Sequence, residues 1–84
     1  MSEEIIGRVS DFFAHPVAAG IELTAVLKVG DKIRIEGHTT KLEMTVDSIQ
    51  IDNERVSVAK PGDSIGVKVS ERVRGGDLVY KITD

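Results

Sequence analysis

Cysteine is absent from this sequence of 84 residues. Disulfide bridges, thiolate catalysis and cysteine metal sites are therefore excluded, and the absence is typical of a reducing compartment. No segment approaches the roughly 20 apolar residues that a membrane-spanning helix needs. The first residues carry neither the positive flank nor the apolar run of a signal peptide. We therefore expect a cytoplasmic protein with no membrane partner.

Aromatic rings and positive charge are also scarce. The chain has two Phe, one Tyr and no Trp, and eleven Lys and Arg against fourteen Asp and Glu give a formal net charge of −3. Proteins that hold nucleic acid through phosphate contacts usually carry a basic excess, and single-strand binders stack bases on aromatic rings. The sequence therefore disfavours nonspecific nucleic-acid binding, and we expect no DNA partner.

What the chain does contain is the composition of one small globular domain, with 40% hydrophobic and 30% charged residues. A chain of this length must place nearly all its apolar side chains in one core, which leaves few to enclose a substrate cavity. We predict a single domain over residues 1–84.

Strand signals dominate the sequence. Short runs rich in Ile, Val and Thr recur between turn residues, and none keeps a helical period. The strand candidates are residues 5–13, 17–23, 32–36, 42–51, 56–59, 64–69 and 78–82. Gly–Asp pairs at 30–31, 62–63 and 76–77 lead directly into strands, because glycine reaches positive φ and aspartate bonds nearby backbone. The pattern predicts an all-β fold, a small closed antiparallel β-barrel of six or seven strands.

The longest strand candidate, residues 42–51, changes phase along its length. Its apolar residues fall into two sets of opposite parity, Leu42, Met44 and Val46, then Ile49 and Ile51. A regular strand cannot bury both sets on one side. We predict a β-bulge near residues 47–48, which would restore the phase and bend the sheet.

Motifs that carry chemistry are missing from the sequence. His15 and His38 are the only histidines, and neither has the spacing of a metal-ligand pair. There is no G-x-S-x-G elbow and no P-loop pattern for phosphate. We predict a protein that is not an enzyme and has no catalytic, cofactor-binding or metal-binding residue, although a chance pair of carboxylates stays open as a general acid and base.

A basic cluster near the C-terminal end is one candidate for partner binding. Lys68, Arg72 and Arg74 could contact phosphate. Alternatively, these side chains pair with Glu71 and Asp77 and serve solubility.

The adjacent rings of Phe12 and Phe13 are a second candidate. Neighbouring strand residues point to opposite faces, so one ring is expected outside a regular core. It either anchors a partner protein or belongs to a satellite cluster under the loop at His15 and Pro16.

Four segments together resemble the second, β-barrel domain of elongation factor Tu and related translation GTPases. They read IGRV at 6–9, LKVGDKI at 27–33, AKPGDSIGV at 59–67 and RGGDLV at 74–79. The stretch GHTT at 37–40, followed by TVDSIQI at 45–51, is similar to the C-terminal barrel domain of collagenase-like peptidases. The first resemblance implies a barrel of the translation-protein type with six or seven strands.

In elongation factors this domain packs on the GTPase domain and helps to receive the aminoacylated end of tRNA, partly through acidic residues near its first strand. Glu3 and Glu4 stand in a comparable place, unless they form a solvated terminus. The resemblance therefore implies a free-standing, noncatalytic binding module that contacts RNA or a protein of the translation apparatus. The alternative is an accessory barrel that docks onto a separate enzyme such as a collagenase-like peptidase. The candidate partner surface comprises Glu3, Glu4, Phe12, Phe13, His15, Lys68, Arg72 and Arg74.

Overall fold

The fold is known from a computed structural model that describes residues 2–14 and 17–83. Within those ranges the chain forms ten strands and no helix, which confirms the all-β prediction. The strands are β1 (Ser2–Ala14), β2 (Val17–Leu23), β3 (Leu27–Lys28), β4 (Lys32–Glu36), β5 (Lys41–Thr45), β6 (Ile49–Ile51), β7 (Glu54–Val56), β8 (Val58–Ala59), β9 (Ser64–Lys68) and β10 (Leu78–Thr83).

Two antiparallel sheets contain all the described strands. The larger has the order β5-β4-β10-β1-β2-β9-β6-β7, and β3 pairs separately with β8. Buried residues alternate with more exposed ones along β2, β4 and β9, so one face of each strand enters the core and the other meets solvent. The largest fully buried side chains are Ile6, Ile21, Leu27, Ile33, Ile35 and Ile49.

β1 is the central strand, with a ladder to β10 on one side and to β2 on the other. The register shifts between Ile5 and Gly7 in the first ladder and between Val9 and Asp11 in the second. Because each irregularity changes the parity of the strand, Ile6 and Val9 can both be buried although they are three positions apart. These bulges also bend a strand of 13 residues around the core.

The predicted bulge near Asp47 and Ser48 is wrong. Residues 46–48 belong to no strand and separate β5 from β6. β5 pairs with β4, whereas β6 pairs with β7 and β9. The change of phase therefore marks the point where the chain passes from one part of the sheet to another. Val46, before this crossing segment ends, and Ile49, after it, are both buried in the core.

The predicted closed barrel is not found. No ladder joins β5 to β7 among the described residues, so these two strands are the edges of the large sheet. Isolated backbone hydrogen bonds, not a ladder, lie in the region between these edges. The N–H of Gly30 donates to the carbonyl of Val46 at 2.8 Å, and the N–H of Val46 donates to the carbonyl of Asp31 at 2.9 Å. The N–H of Val29 donates to the carbonyl of Ser57 at 3.0 Å. The β3–β8 ladder has only two residue pairs, which is too short to continue the sheet around the core.

Three turns share one hydrogen-bond arrangement. In each, the carboxylate of the aspartate accepts from the backbone N–H of the residue three positions earlier: Asp31 from Lys28 at 2.9 Å, Asp63 from Lys60 at 2.8 Å, and Asp77 from Arg74 at 2.9 Å. The aspartate N–H donates back to the carbonyl of that same residue. The glycines before the aspartates have φ of 98°, 93° and 95°, as a type II turn requires. The sequence prediction of Gly–Asp turns before strands is confirmed.

The third of these turns is the one that packs into the protein. Asp77 is only 6% exposed, and its side-chain Oδ1 occupies the space where a Cβ on Gly37 would lie. The same turn bonds to β1, since Val9 donates to the Asp77 carbonyl at 2.8 Å and Gly76 donates to the Val9 carbonyl at 2.7 Å. Asp77 therefore fixes the turn, β1 and the end of β4 to one another.

We expect Asp77→Ala to destabilise the fold more than Asp63→Ala. Removing the buried acceptor leaves the Arg74 N–H without its partner, at a cost of about 1–3 kcal/mol, whereas an exposed turn bond contributes about 0.5–1.5 kcal/mol. Urea unfolding followed by far-ultraviolet circular dichroism measures both free energies of unfolding. Equal losses in the two variants would contradict the role given to Asp77.

Candidate functional site

A groove of about 510 Å³ crosses the outer face of the sheet, over β1, β2, β9 and β6. The core lies on the other face of these strands. The side chains above the groove floor are mostly small or polar: Ser10, Asp11, Ala18, Ser48, Gln50, Ser64 and Lys68.

The strand register explains why the sheet is hollow here. Asp11 pairs with Gly20, Gly20 with Gly66, and Gly66 with Gln50, so these four residues form one row across four strands. The two inner positions of the row lack side chains, and the two outer positions carry polar ones. The next row is Phe13, Ala18 and Lys68. The missing side chains make the floor, and the outer strands make the rims.

Gly20 and Gly66 differ in the space around them. A Cβ on Gly20 would lie 3.2 Å from the Cβ of Asp11 and 3.3 Å from the Ser10 Oγ, which is tight. A Cβ on Gly66 would meet nothing within 4 Å. Gly66 also has no positive φ, so neither packing nor backbone conformation requires glycine there. The absent side chain at Gly66 keeps the groove open.

The rims carry charges of both signs. Asp11 lies on the β1 side, Asp52 on the β6–β7 hairpin, and Lys68 at the end of β9. None of the three forms an ion pair with a residue in 2–14 or 17–83. The charges of the groove are thus available to a bound molecule.

The hairpin on the far rim has an unusual turn. Asp52 and Asn53 link β6 to β7 with φ of 52° and 66°, and Ile51 pairs with Glu54 across them. Two consecutive left-handed residues are the geometry of a type I′ hairpin, and aspartate and asparagine tolerate it better than other residues with side chains. The turn places both side chains at the groove.

The structure brings only part of the predicted partner surface together. Phe13 and Lys68 both line the groove, and Phe13 is 52% exposed. Phe12 is half-buried against the core, and the Arg72 guanidinium lies 5.7 Å from the centre of its ring. One ring is therefore exposed and the other packed, as the alternation of strand residues predicts. His15 lies outside the described residues.

The acidic pair lies at the other end of β1. Both carboxylate oxygens of Glu3 contact the Arg34 guanidinium, at 2.7 and 2.9 Å. Arg34 also lies 3.1 Å from a Glu36 carboxylate oxygen and stacks 4.8 Å from the centre of the Tyr80 ring. Glu4 is exposed and pairs with Lys81 in the ladder to β10. Both residues are exposed to solvent, and both belong to the paired strand β1.

Arg74 lies in the third Gly–Asp turn and is exposed. The predicted ion pairs of the basic cluster with Glu71 and Asp77 are not seen among the described residues. Asp77 instead accepts from the backbone N–H of Arg74, because its carboxylate is buried beneath the turn.

Metal-ligating side chains do not gather in the described part of the chain. No group of three or more His, Asp or Glu in residues 2–14 and 17–83 is placed to hold a metal ion. Across the same ranges, no helix has the length and apolar character to cross a bilayer.

Comparison with known proteins links this chain to a peptidase. No family model matches the sequence. The chain is 45% identical over 80 residues to a protein of Methanocaldococcus jannaschii described as an uncharacterized protease. The aligned stretch takes in 94% of this chain and 20% of that protein. The chain thus spans about a fifth of the length of the curated relative it matches.

Solved structures agree with this match at the level of fold. The C-terminal domain of a Geobacillus thermoleovorans protein described as a U32 peptidase superposes with a TM-score of 0.88, at 16% identity, over 95% of this chain and 93% of that domain. The selenomethionine variant of that domain superposes with a TM-score of 0.86 at 15% identity, over 90% of this chain and 96% of that domain. The predicted likeness to the C-terminal domain of collagenase-like peptidases is therefore supported, and the likeness to elongation factor Tu gains no support from these matches.

Sequence reasoning missed the glycine floor, although a signal was present. In residues 17–23 and 64–68 the inward positions are apolar, and the outward positions include Gly20 and Gly66. Glycine at an outward position of a strand often marks a place where a ligand or another backbone approaches closely. That Gly20 and Gly66 are neighbours depends on the β2–β9 register, which connects residues 46 positions apart.

We expect Gly66→Thr to raise stability and Gly20→Thr to lower it. A strand-forming residue at Gly66 enters open space and gains about 0.5–1 kcal/mol by reducing the entropy lost on folding. The same change at Gly20 must displace Ser10 and Asp11. Urea unfolding of the matched pair measures both effects. If Gly66→Thr lowers the free energy of unfolding as much as Gly20→Thr does, the interpretation that the fold does not require Gly66 is contradicted.

Proposed function

We propose that this domain is a noncatalytic accessory module that binds the catalytic region of a peptidase. The observation that carries the proposal is the match of 94% of the chain, at 45% identity, to 20% of a protein described as a protease. A domain that corresponds to so small a part of a larger protein would leave the reaction to the remainder. The fold shared with the C-terminal domain of the U32 protein supports the same conclusion.

The composition of the groove supports a noncatalytic role. Among the residues that the structure describes, its polar side chains are serines, aspartates, amides and one lysine, without a histidine to activate a serine. In the described residues, no cluster of ligands would let a metal ion activate water instead. These features suit recognition of a polypeptide better than cleavage of one.

The outer face of β1 and β10 offers a surface for the peptidase region. Ile5 is 51% exposed and pairs with Tyr80, and Leu78, 37% exposed, lies two residues from Tyr80 on the same side. Arg34 stacks on the Tyr80 ring. Aliphatic side chains beside tyrosine and arginine are typical of the centre of a protein interface. We place the contact with the peptidase region on this face, which we call the Ile5–Leu78 face.

Binding in trans tests this function. The region of the Methanocaldococcus jannaschii protein outside the matched segment is purified, and the labelled chain is titrated with it. We expect saturable binding by fluorescence anisotropy, because the chain would take the place of the missing segment. Absence of binding at any accessible concentration would overturn the proposal.

Variants locate the contact. The double variant Ile5→Ser and Leu78→Ser should weaken binding at least tenfold, which corresponds to about 1.4 kcal/mol. Val58→Ser is the matched control, because Val58 is 44% exposed but lies on β8 in the separate small sheet. If Val58→Ser weakens binding as much as the double variant, the Ile5–Leu78 face is not the contact.

A further inference from the structure

We propose that the glycine-floored groove binds an extended segment of another polypeptide, with a lysine or arginine side chain placed against the carboxylate of Asp11 or of Asp52. The proposal goes beyond peptidase docking, which uses the Ile5–Leu78 face, and concerns a different surface of the domain. It rests on three properties of the groove: its shape, the chemistry of its rims and the free space above Gly66.

The shape fits one extended chain. The rims stand on β1 and β6, with β2 and β9 between them. Three steps of about 4.8 Å between neighbouring strands place the rims about 14 Å apart. A stable interface between two folded proteins buries about 800 Å² on each partner, and a folded domain would rest on the rims of a groove about 14 Å wide. An extended segment can enter and contact both rims at once.

The floor allows close approach of a backbone. Gly20 and Gly66 are side by side in the ladder and expose their main chain to the groove. Since no Cβ stands in the way, a second chain can lie nearer to the sheet here than over a pair of residues with side chains. Hydroxyl and amide groups of Ser10, Ser64 and Gln50 border the floor and can bond peptide N–H and C=O groups.

The charges select the side chain of the segment. Asp11 and Asp52 lie on opposite rims, and neither is neutralised by an ion pair within the described residues. A cationic side chain of the segment would pair with one of these carboxylates, because rims about 14 Å apart are too distant for one side chain to contact both. Lys68 at one end of the groove then favours an acidic group or a carbonyl further along the same segment. Phe13, at the same end in the strand register, offers an exposed ring beside it.

Gly66 supplies the independent argument that the groove is kept open. Glycine in the middle of a strand is destabilising, and here nothing in the fold demands it. A glycine with open space above it, in the row that crosses the groove, is what close approach of a second backbone would require. A side chain at this position would fill the groove without disturbing the core.

Peptide titration of the whole chain tests the proposal. The probe is a fluorescein-labelled peptide of alternating lysine and serine, and the matched probe has glutamate in place of lysine. We expect the lysine peptide to bind saturably and at least tenfold more tightly than the glutamate peptide. Gly66→Leu should abolish this binding while the protein stays folded by circular dichroism. Asp11→Asn together with Asp52→Asn should remove the preference for lysine.

Two control variants separate the groove from the general surface. Thr45→Leu places the same leucine side chain at an exposed position of β5, and Glu4→Gln removes a carboxylate from the far end of β1. Both should leave peptide binding unchanged. Equal binding of the two peptides, or undiminished binding to Gly66→Leu, would overturn the proposal, as would equally tight binding of a folded basic protein. Because this assay contains no peptidase region, its outcome is separate from that of the docking experiment.

Discussion

The structure depends on how the chain reverses direction without leaving backbone groups unpaired. In three of its turns the carboxylate of an aspartate accepts from the backbone N–H of the residue three positions earlier. The backbone N–H of the aspartate donates to the carbonyl of that same residue. Each aspartate stands directly before β4, β9 or β10, so the turn determines which face the first side chain of that strand takes. At Asp77 the carboxylate also enters the space left by Gly37, and a local turn bond becomes a tertiary contact.

The outer surface of the sheet is divided into regions of different character. One end of β1 carries the Glu3, Arg34 and Glu36 ion pairs around Tyr80, beside the exposed Ile5. The other end borders the groove, with polar rims and a floor of glycine. The bulges of β1 separate these regions, because they bend the strand and change which residues face outward. A single long strand can therefore serve two contacts without placing them on the same surface.

The proposed function would give these surfaces a common purpose. Under the proposed function, one face would attach the domain to a catalytic region, and the groove would hold a segment of polypeptide near it. Such a module would raise the local concentration of a polypeptide beside the peptidase region without taking part in bond cleavage. The net charge of −3 agrees with a groove that prefers a basic side chain, and it disfavours the RNA-binding hypothesis.

The sequence by itself determined the all-β class, the bounds of β2 and β4, and the three Gly–Asp turns, because alternation and turn chemistry are local properties. It also indicated that one of Phe12 and Phe13 is exposed. Only the tertiary structure decided that residues 42–51 form two strands with different partners, that the sheet stays open between β5 and β7, and that Gly20 lies beside Gly66. These features depend on pairing between residues distant in the chain, and the pattern of one strand does not specify its neighbour.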